Sequence, residues 1–148
     1  MAKSDDGRTT EVGLFNFAES YRRAADALGT VRLRTAHRDV PRRFLYTHAI
    51  ELYVKEQLRL SGVPVRALER LGHSWARLRA SFIDAGGSLD DEDEDVLSLL
   101  ASTNASIDFR YIRTGAFTWP TMEALARTAR SLHYSVRENL RTAGKPIR

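Results

Sequence analysis

The sequence predicts an all-α protein, an up-and-down bundle of about five helices forming a single domain. Three observations point there. Apolar residues recur at helical spacing through several long segments, no stretch alternates long enough to build a sheet, and glycines sit at segment ends. A chain of 148 residues is long enough for one domain with a sizeable core. It has no cysteine, which removes disulfides, thiolate metal sites and cysteine nucleophiles.

The elements follow in order. Residues 1–10 read as a polar tail, and the domain is expected over 11–143. The first helix is expected from Glu11 to Leu28, with Leu14, Ala18, Tyr21, Ala25 and Leu28 on one face and Gly29 as the stop. An arginine-rich linker follows over 30–40; its His37 has no recognisable partner. The second helix opens at Asp39-Val40-Pro41, where proline is tolerated in the first turn, and ends at Ser61-Gly62. Phe44, Leu45, Ala49, Ile50, Leu52, Val54 and Leu58 surround its axis, the pattern of a buried central helix. A helical turn within 63–71 precedes a third helix over Ser74 to Ala85, striped by Trp75, Leu78 and Phe82 and ended by Gly86-Gly87.

Asp90 to Asp95 form an unbroken acidic run at the start of a fourth helix that continues through Val96, Leu99, Leu100, Thr103 and Ile107. Carboxylates there complement the positive end of the helix dipole, by about 0.3–1 kcal/mol each. The run is expected to be a solvated helix start; a calcium loop would need a mid-loop glycine that this stretch lacks. Residues 108–119 read as an irregular connection. The last helix starts near Pro120, with Met122, Leu125, Ala129, Leu132, Val136 and Leu140 on one face, and residues 144–148 read as a frayed end.

Net charge is +4, and +10 without the acidic run; the cations are overwhelmingly arginine. Arginine suits bidentate contacts to phosphate or carboxylate. The opening residues do not read as a signal peptide, and no apolar run approaches the ~20 residues a membrane helix needs, so a cytoplasmic protein without membrane association is expected. No residue grouping has zinc spacing, no glycine-rich loop cradles phosphate, and no Ser/His/Asp arrangement stands out; no metal or cofactor is expected.

Two patterns carry chemistry. On the second helix, His48, Glu51, Lys55 and Arg59 fall on one narrow strip of an otherwise apolar cylinder. Ionisable groups on a buried helix are costly unless paired, so the strip is either a self-satisfied polar seam or one wall of a cleft. On the last helix, Arg127, Arg130, Tyr134, Arg137 and Arg141 make a basic stripe with an aromatic in it. Such a stripe can track a nucleic-acid backbone, although charged stripes are more often solvated faces.

The stretch His48-Ala49-Ile50-Glu51-Leu52-Tyr53-Val54-Lys55 closely resembles the "HAIELxLK" helix of bacterial HEPN-type (higher eukaryotes and prokaryotes nucleotide-binding) domains. Leu71-Gly72-His73-Ser74-Trp75 resembles the "GHDL" helix opening of that group, and Arg110-Tyr111 its later "RY" element, so the likeness spans Pro41 to Tyr111. Two departures stand out: Ser74 where Asp is usual, and Glu56 where a small residue is common. The resemblance implies a helical bundle that commonly dimerises, in a family of RNA-cleaving toxins, partners of minimal nucleotidyltransferases and non-catalytic binding modules. It also places His73 and Arg110 beside the strip, making His48, Glu51, Lys55, His73 and Arg110 a ligand-binding or structural polar cluster.

Nucleolytic members of the family carry an Arg, four to six residues, then a His. Such spacings recur here, at Arg32 and His37, Arg42 or Arg43 and His48, Arg66 and His73, and Arg127 and His133; by position in the last helix the catalytic candidates are Arg127 and His133, which lie roughly 120° apart around a helix and so do not share a face, so a composite site across a dimer would be needed. The function expected is a module that binds a nucleotide, RNA or protein partner and is not an efficient enzyme. Its expected partners are a second copy of the chain or a nucleotidyltransferase-type protein. The alternatives are a metal-independent ribonuclease toxin of a toxin–antitoxin or defence system, and a stand-alone interaction scaffold.

Overall fold

A computed structural model describes residues 7–103 and 119–147. Within them lie six helices and no strand: α1 (Glu11–Leu28), α2 (Val40–Leu60), α3 (Val65–Leu71), α4 (Trp75–Asp84), α5 (Asp91–Thr103) and α6 (Met122–Thr142). The all-α class is as expected, and the turn anticipated before the third long helix is the additional short helix α3. Arg110, Tyr111 and the rest of the connection read over 108–118, with the end of the fourth helix at Ile107, lie outside the described residues.

Helix starts follow local chemistry. Thr10 accepts the Gly13 N–H at 3.0 Å, and Thr121 accepts the Ala124 N–H at 3.1 Å, each satisfying a first-turn donor. Asp39 makes no such bond; Pro41, in the first turn of α2, has no N–H to satisfy. Ser74, which precedes the helix at Trp75, makes no side-chain cap bond either. Gly86, at φ 83°, takes the left-handed turn that ends α4.

The centre of the fold is α2. Helices α1 and α6 pack along it, α4 covers another side, and α5 bridges α4 and α6. Tyr46, Ala49, Ile50, Tyr53, Val54 and Leu58 of α2 are buried against Leu14, Phe15, Ala18 and Ala25 of α1 and Leu125, Ala129, Leu132, Val136 and Leu140 of α6. Fully burying each large apolar side chain contributes about 1.5–3 kcal/mol. Because α1 and α6 flank one face of α2, polar residues at their shared edge meet over the Tyr53 hydroxyl. That edge becomes the site.

Most of the acidic run is exposed, as expected of a solvated start, but Asp93 departs from it. Asp93 is buried and accepts the Thr128 hydroxyl at 2.6 Å and Arg127 Nη2 at 3.3 Å. Arg127 also reaches Asp90 and Glu92, and Arg79 pairs with Glu94. The reason is that α4 and α6 each turn an arginine towards the run, so part of it becomes a clamp between helices. No described helix is long and apolar enough to cross a membrane.

Candidate functional site

On α2 the expected strip divides. Glu51 is buried and accepts Lys55 Nζ at 2.9 Å and His73 Nδ1 at 2.7 Å, both on Oε1; His48 Nδ1 lies 3.9 Å from Oε2, beyond hydrogen-bond reach. Burial pushes the Glu51 carboxyl upward, but the facing His48, Lys55 and His73 more than offset it and hold it at about 2. His48 is further fixed by the Tyr21 ring edge-on at 4.4 Å and the Phe44 ring stacked at 5.8 Å. Arg59 leaves the strip; its Nε donates to the Thr9 carbonyl at 3.0 Å and its Nη1 to the Val63 carbonyl at 3.2 Å. Among the described residues, then, His48, Glu51, Lys55 and His73 meet as a seam around one carboxylate, while Arg110 lies outside them.

The basic stripe divides too. Arg127 spends its guanidinium on Asp90, Glu92 and Asp93, and Arg141 pairs with Glu138 at 3.2 Å. Arg130 and Arg137 make no ion pair among the described residues, and the Tyr134 ring is 64% exposed. Arg127 and His133 are not brought together within the chain: one faces α5 and the other faces α1.

His133 leads to a group of residues that the sequence did not single out. Its Nδ1 sits 2.5 Å from Glu19 Oε1, which also accepts the Tyr53 hydroxyl and Arg22 Nε at 3.2 Å. Arg22 continues through Nη2 to Glu19 Oε2 at 3.1 Å and through Nη1 to Asp26 at 3.0 Å. Asp26 in turn accepts the Tyr46 hydroxyl at 2.5 Å. One carboxylate on α1 thus gathers a phenol from α2, a guanidinium from its own helix and an imidazole from α6.

The electrostatics fix the proton positions. Burial raises Glu19, but the hydrogen bonds from Arg22 and Tyr53 and the charges of Arg22 and His133 win, so it is held ionised below its usual range. Burial and the Glu19 charge push Tyr53 far above its usual range, so it stays a phenol that donates. Burial lowers His133; Glu19 opposes this, while Arg22 and Arg137 reinforce it. An ionised carboxylate only accepts, so the His133 Nδ1 that faces Glu19 carries a proton. No described residue bonds Nε2.

Beside His133 opens a cleft of about 320 Å³ lined by Phe15, Asn16, Glu19, Ser20, Arg22, Arg23, His133 and Arg137. The Phe15 ring stacks on His133 at 5.7 Å and the Tyr134 ring meets it edge-on at 5.1 Å. Arg23 approaches Glu19 only at 3.8 Å and its side chain is 78% exposed. Glu19 is the one carboxylate in the wall against three guanidinium groups, so the cleft has cationic character. It offers guanidinium donors, an amide and a hydroxyl that can each donate or accept, and the imidazole.

Two other depressions have no histidine in their walls. One, at the α1–α2 loop, includes Arg32, Arg38 and Arg42, but Arg42 is committed to the Ala25 carbonyl at 2.9 Å. The other is an apolar groove between α2, α3 and α4, including Leu58, Val63, Ala67 and Leu71. Elsewhere on α2, Glu56 is completely buried with no partner for either carboxylate oxygen; burial, with Glu11 nearby, raises its pKa to about 8. No group of acidic and histidine side chains among the described residues could hold a metal ion.

No family model, curated protein or solved structure matches this chain.

Proposed function

We propose that this chain is a HEPN-like helical module that binds a nucleotide or RNA in the cleft between α1 and α6, acting as a binding protein and not as an efficient enzyme. The observation that supports this reading is the surplus of guanidinium groups around His133. Arg22 is spent on Glu19 and Asp26, whereas Arg23 and Arg137 remain available at the rim. A phosphate fits that surplus through charge-assisted hydrogen bonds, and the exposed Tyr134 ring beside His133 offers a stacking surface for a base. The likeness of His48–Lys55 and Leu71–Trp75 to HEPN helices supports the same reading and extends it to a second copy of the chain or a nucleotidyltransferase-type partner. Fluorescence anisotropy with a labelled short RNA, alongside thermal shift with nucleotides, tests it at two salt concentrations. Saturable binding that weakens with salt is expected; no anisotropy change and no thermal shift with any ligand would leave the scaffold reading in its place.

A second reading, a metal-independent ribonuclease of a toxin–antitoxin or defence system, is favoured by the Glu19–His133 pair. A carboxylate that orients a neutral imidazole is the usual arrangement of a general base. On this reading the arginine facing the scissile phosphate is Arg137 or Arg23, since Arg127 is occupied by the acidic start of α5. Incubation of wild type and His133→Ala with structured RNA decides it; no cleavage by either protein removes the ribonuclease.

A further inference from the structure

Helix α1 has no basic residue in its last turn, so nothing on α1 itself answers the negative end of its dipole. Arg42, from the first turn of α2, takes that place. Its Nε donates to the Ala25 carbonyl at 2.9 Å and its Nη2 to the Tyr46 hydroxyl at 3.3 Å, with the cation 5.4 Å from the centre of the Tyr46 ring. Gly29 completes the seat, because a Cβ at that position would overlap the guanidinium. The cation is therefore fixed before any ligand arrives, and its Nη1 is engaged by no described residue. Around it lies a pocket of about 360 Å³ at the α1–α2 loop. Arg32 and Arg38 stand exposed in its wall, and neither makes an ion pair or hydrogen bond among the described residues. Asp39 is the one carboxylate in that wall; it makes no cap bond to α2 and no ion pair among the described residues. Three guanidinium groups against one carboxylate leave a surplus of two positive charges. The rest of the wall is backbone and aliphatic side chains, including Leu28, Val31 and Leu33, with no aromatic ring to stack on a base.

We propose that this pocket is a second anion site, which binds a small phosphate monoester through Arg42, Arg32 and Arg38. A monoester phosphate carries about −1.5 to −2 charge at pH 7 and presents three strong acceptor oxygens, so it matches both the surplus charge and the number of guanidinium groups. A carboxylate or a backbone phosphodiester brings less charge and fewer terminal oxygens. The pocket is larger than a bare phosphate and falls in the range of small-molecule sites. The room beside the phosphate is bounded by Leu28, Val31 and Leu33, which suits a compact aliphatic or sugar body and not a nucleobase. Arg42 supplies the preorganised contact, whereas Arg32 and Arg38 close on the phosphate from the loop. The site is separate from the α1–α6 cleft and does not rest on the nucleotide or RNA reading above.

The test is titration of the full chain with glycerol phosphate, followed by amide NMR, with glycerol and with sodium chloride at matched ionic strength as controls. Saturable shifts are expected at the amides of Gly29, Thr30, Val31 and Arg32 with glycerol phosphate, and with neither control. Arg32→Ala/Arg38→Ala removes two exposed side chains and is expected to weaken binding by at least about tenfold. Gly29→Ala pushes the Arg42 guanidinium from its seat and is expected to weaken binding by about tenfold while Arg32 and Arg38 remain. Each variant is checked for folding by its thermal transition. Arg23→Ala/Arg137→Ala, in the α1–α6 cleft, is expected to bind glycerol phosphate as wild type does. No saturable shift at the loop amides overturns the proposal, as does undiminished binding in either folded loop variant. Loss of binding in Arg23→Ala/Arg137→Ala alone places the phosphate in the α1–α6 cleft and overturns the second site.

Discussion

Glu51 on α2 and Glu19 on α1 are built alike and finish differently. Each carboxylate accepts a histidine Nδ1 and a cation, and each is held ionised. The Glu51 side chain is only 3% exposed, and the lysine one turn away on its own helix neutralises it directly. Glu19 sits at the edge where two helices meet, keeps 16% exposure, and faces more guanidinium than it can use. A polar group in the middle of a central helix is obliged to settle its charge within the fold, because water is excluded. A polar group at a helix–helix edge is not, and the remaining charge is available to a ligand. The comparison gives the seam to stability and makes the cleft the place where the proposed ligand would bind.

The largest effect is expected at a third carboxylate, which serves as the control for both. Glu56 is buried without a partner and titrates near 8 in the folded protein against 4.5 as its ordinary value. Between those values the native state holds a proton that the unfolded state has lost, so stability falls as pH rises. Glu56→Gln removes that slope: relative to wild type it should gain on the order of 3–5 kcal/mol between pH 4.5 and pH 8.5. Urea unfolding at several pH values checks this, and parallel profiles for the two proteins would count against it.

Glu51 has the opposite sign. Its folded value near 2 lies below the ordinary 4.5, so its contribution is fully present above pH 4.5 and lost as pH falls towards 2. That contribution is about 3 kcal/mol. Glu51→Ala should lower stability by a similar amount, about 3 kcal/mol at neutral pH, because it leaves Lys55 and His73 without their shared acceptor. A loss below 1 kcal/mol in urea unfolding would show that the seam is weaker than its geometry implies. Glu19→Gln should cost less, about 1–3 kcal/mol, since the edge is part-exposed and Arg22 keeps Asp26. The smallest expected effect on stability is that of Arg137→Ala, within about 0.5 kcal/mol of wild type. It should nonetheless weaken RNA binding and reduce the salt slope by about one.

How much of this was legible in the sequence follows from what periodicity reports. The apolar stripes of α1 and α6 and the all-round apolar character of α2 are properties of single helices, so Leu14, Ala18, Leu125, Leu132 and their neighbours were placed correctly. The His48–Glu51–Lys55 line was visible for the same reason, being an i, i+3, i+7 pattern. The cleft was not, because its parts lie 34 residues apart for Glu19 and Tyr53 and 114 for Glu19 and His133. One local hint existed: Glu19, Arg22 and Asp26 form an i, i+3, i+7 polar line bordering the buried face of α1. The acidic run misled in part, since Arg127 and Thr128, which engage Asp93, come from another helix. Arg127 and His133 share a helix, yet six residues of rotation send them to α5 and α1 respectively.

The division between seam and cleft is tested most directly by RNA binding in paired variants. Labelled RNA is titrated into wild type, Arg23→Ala/Arg137→Ala and His73→Ala at low and moderate salt, with each protein's fold confirmed by its thermal transition. The cleft variant should lose binding by at least about tenfold, while His73→Ala should bind as wild type does. Retained binding in the cleft variant, or its loss in a folded His73→Ala, would place the ligand on the α2 seam and contradict the assignment.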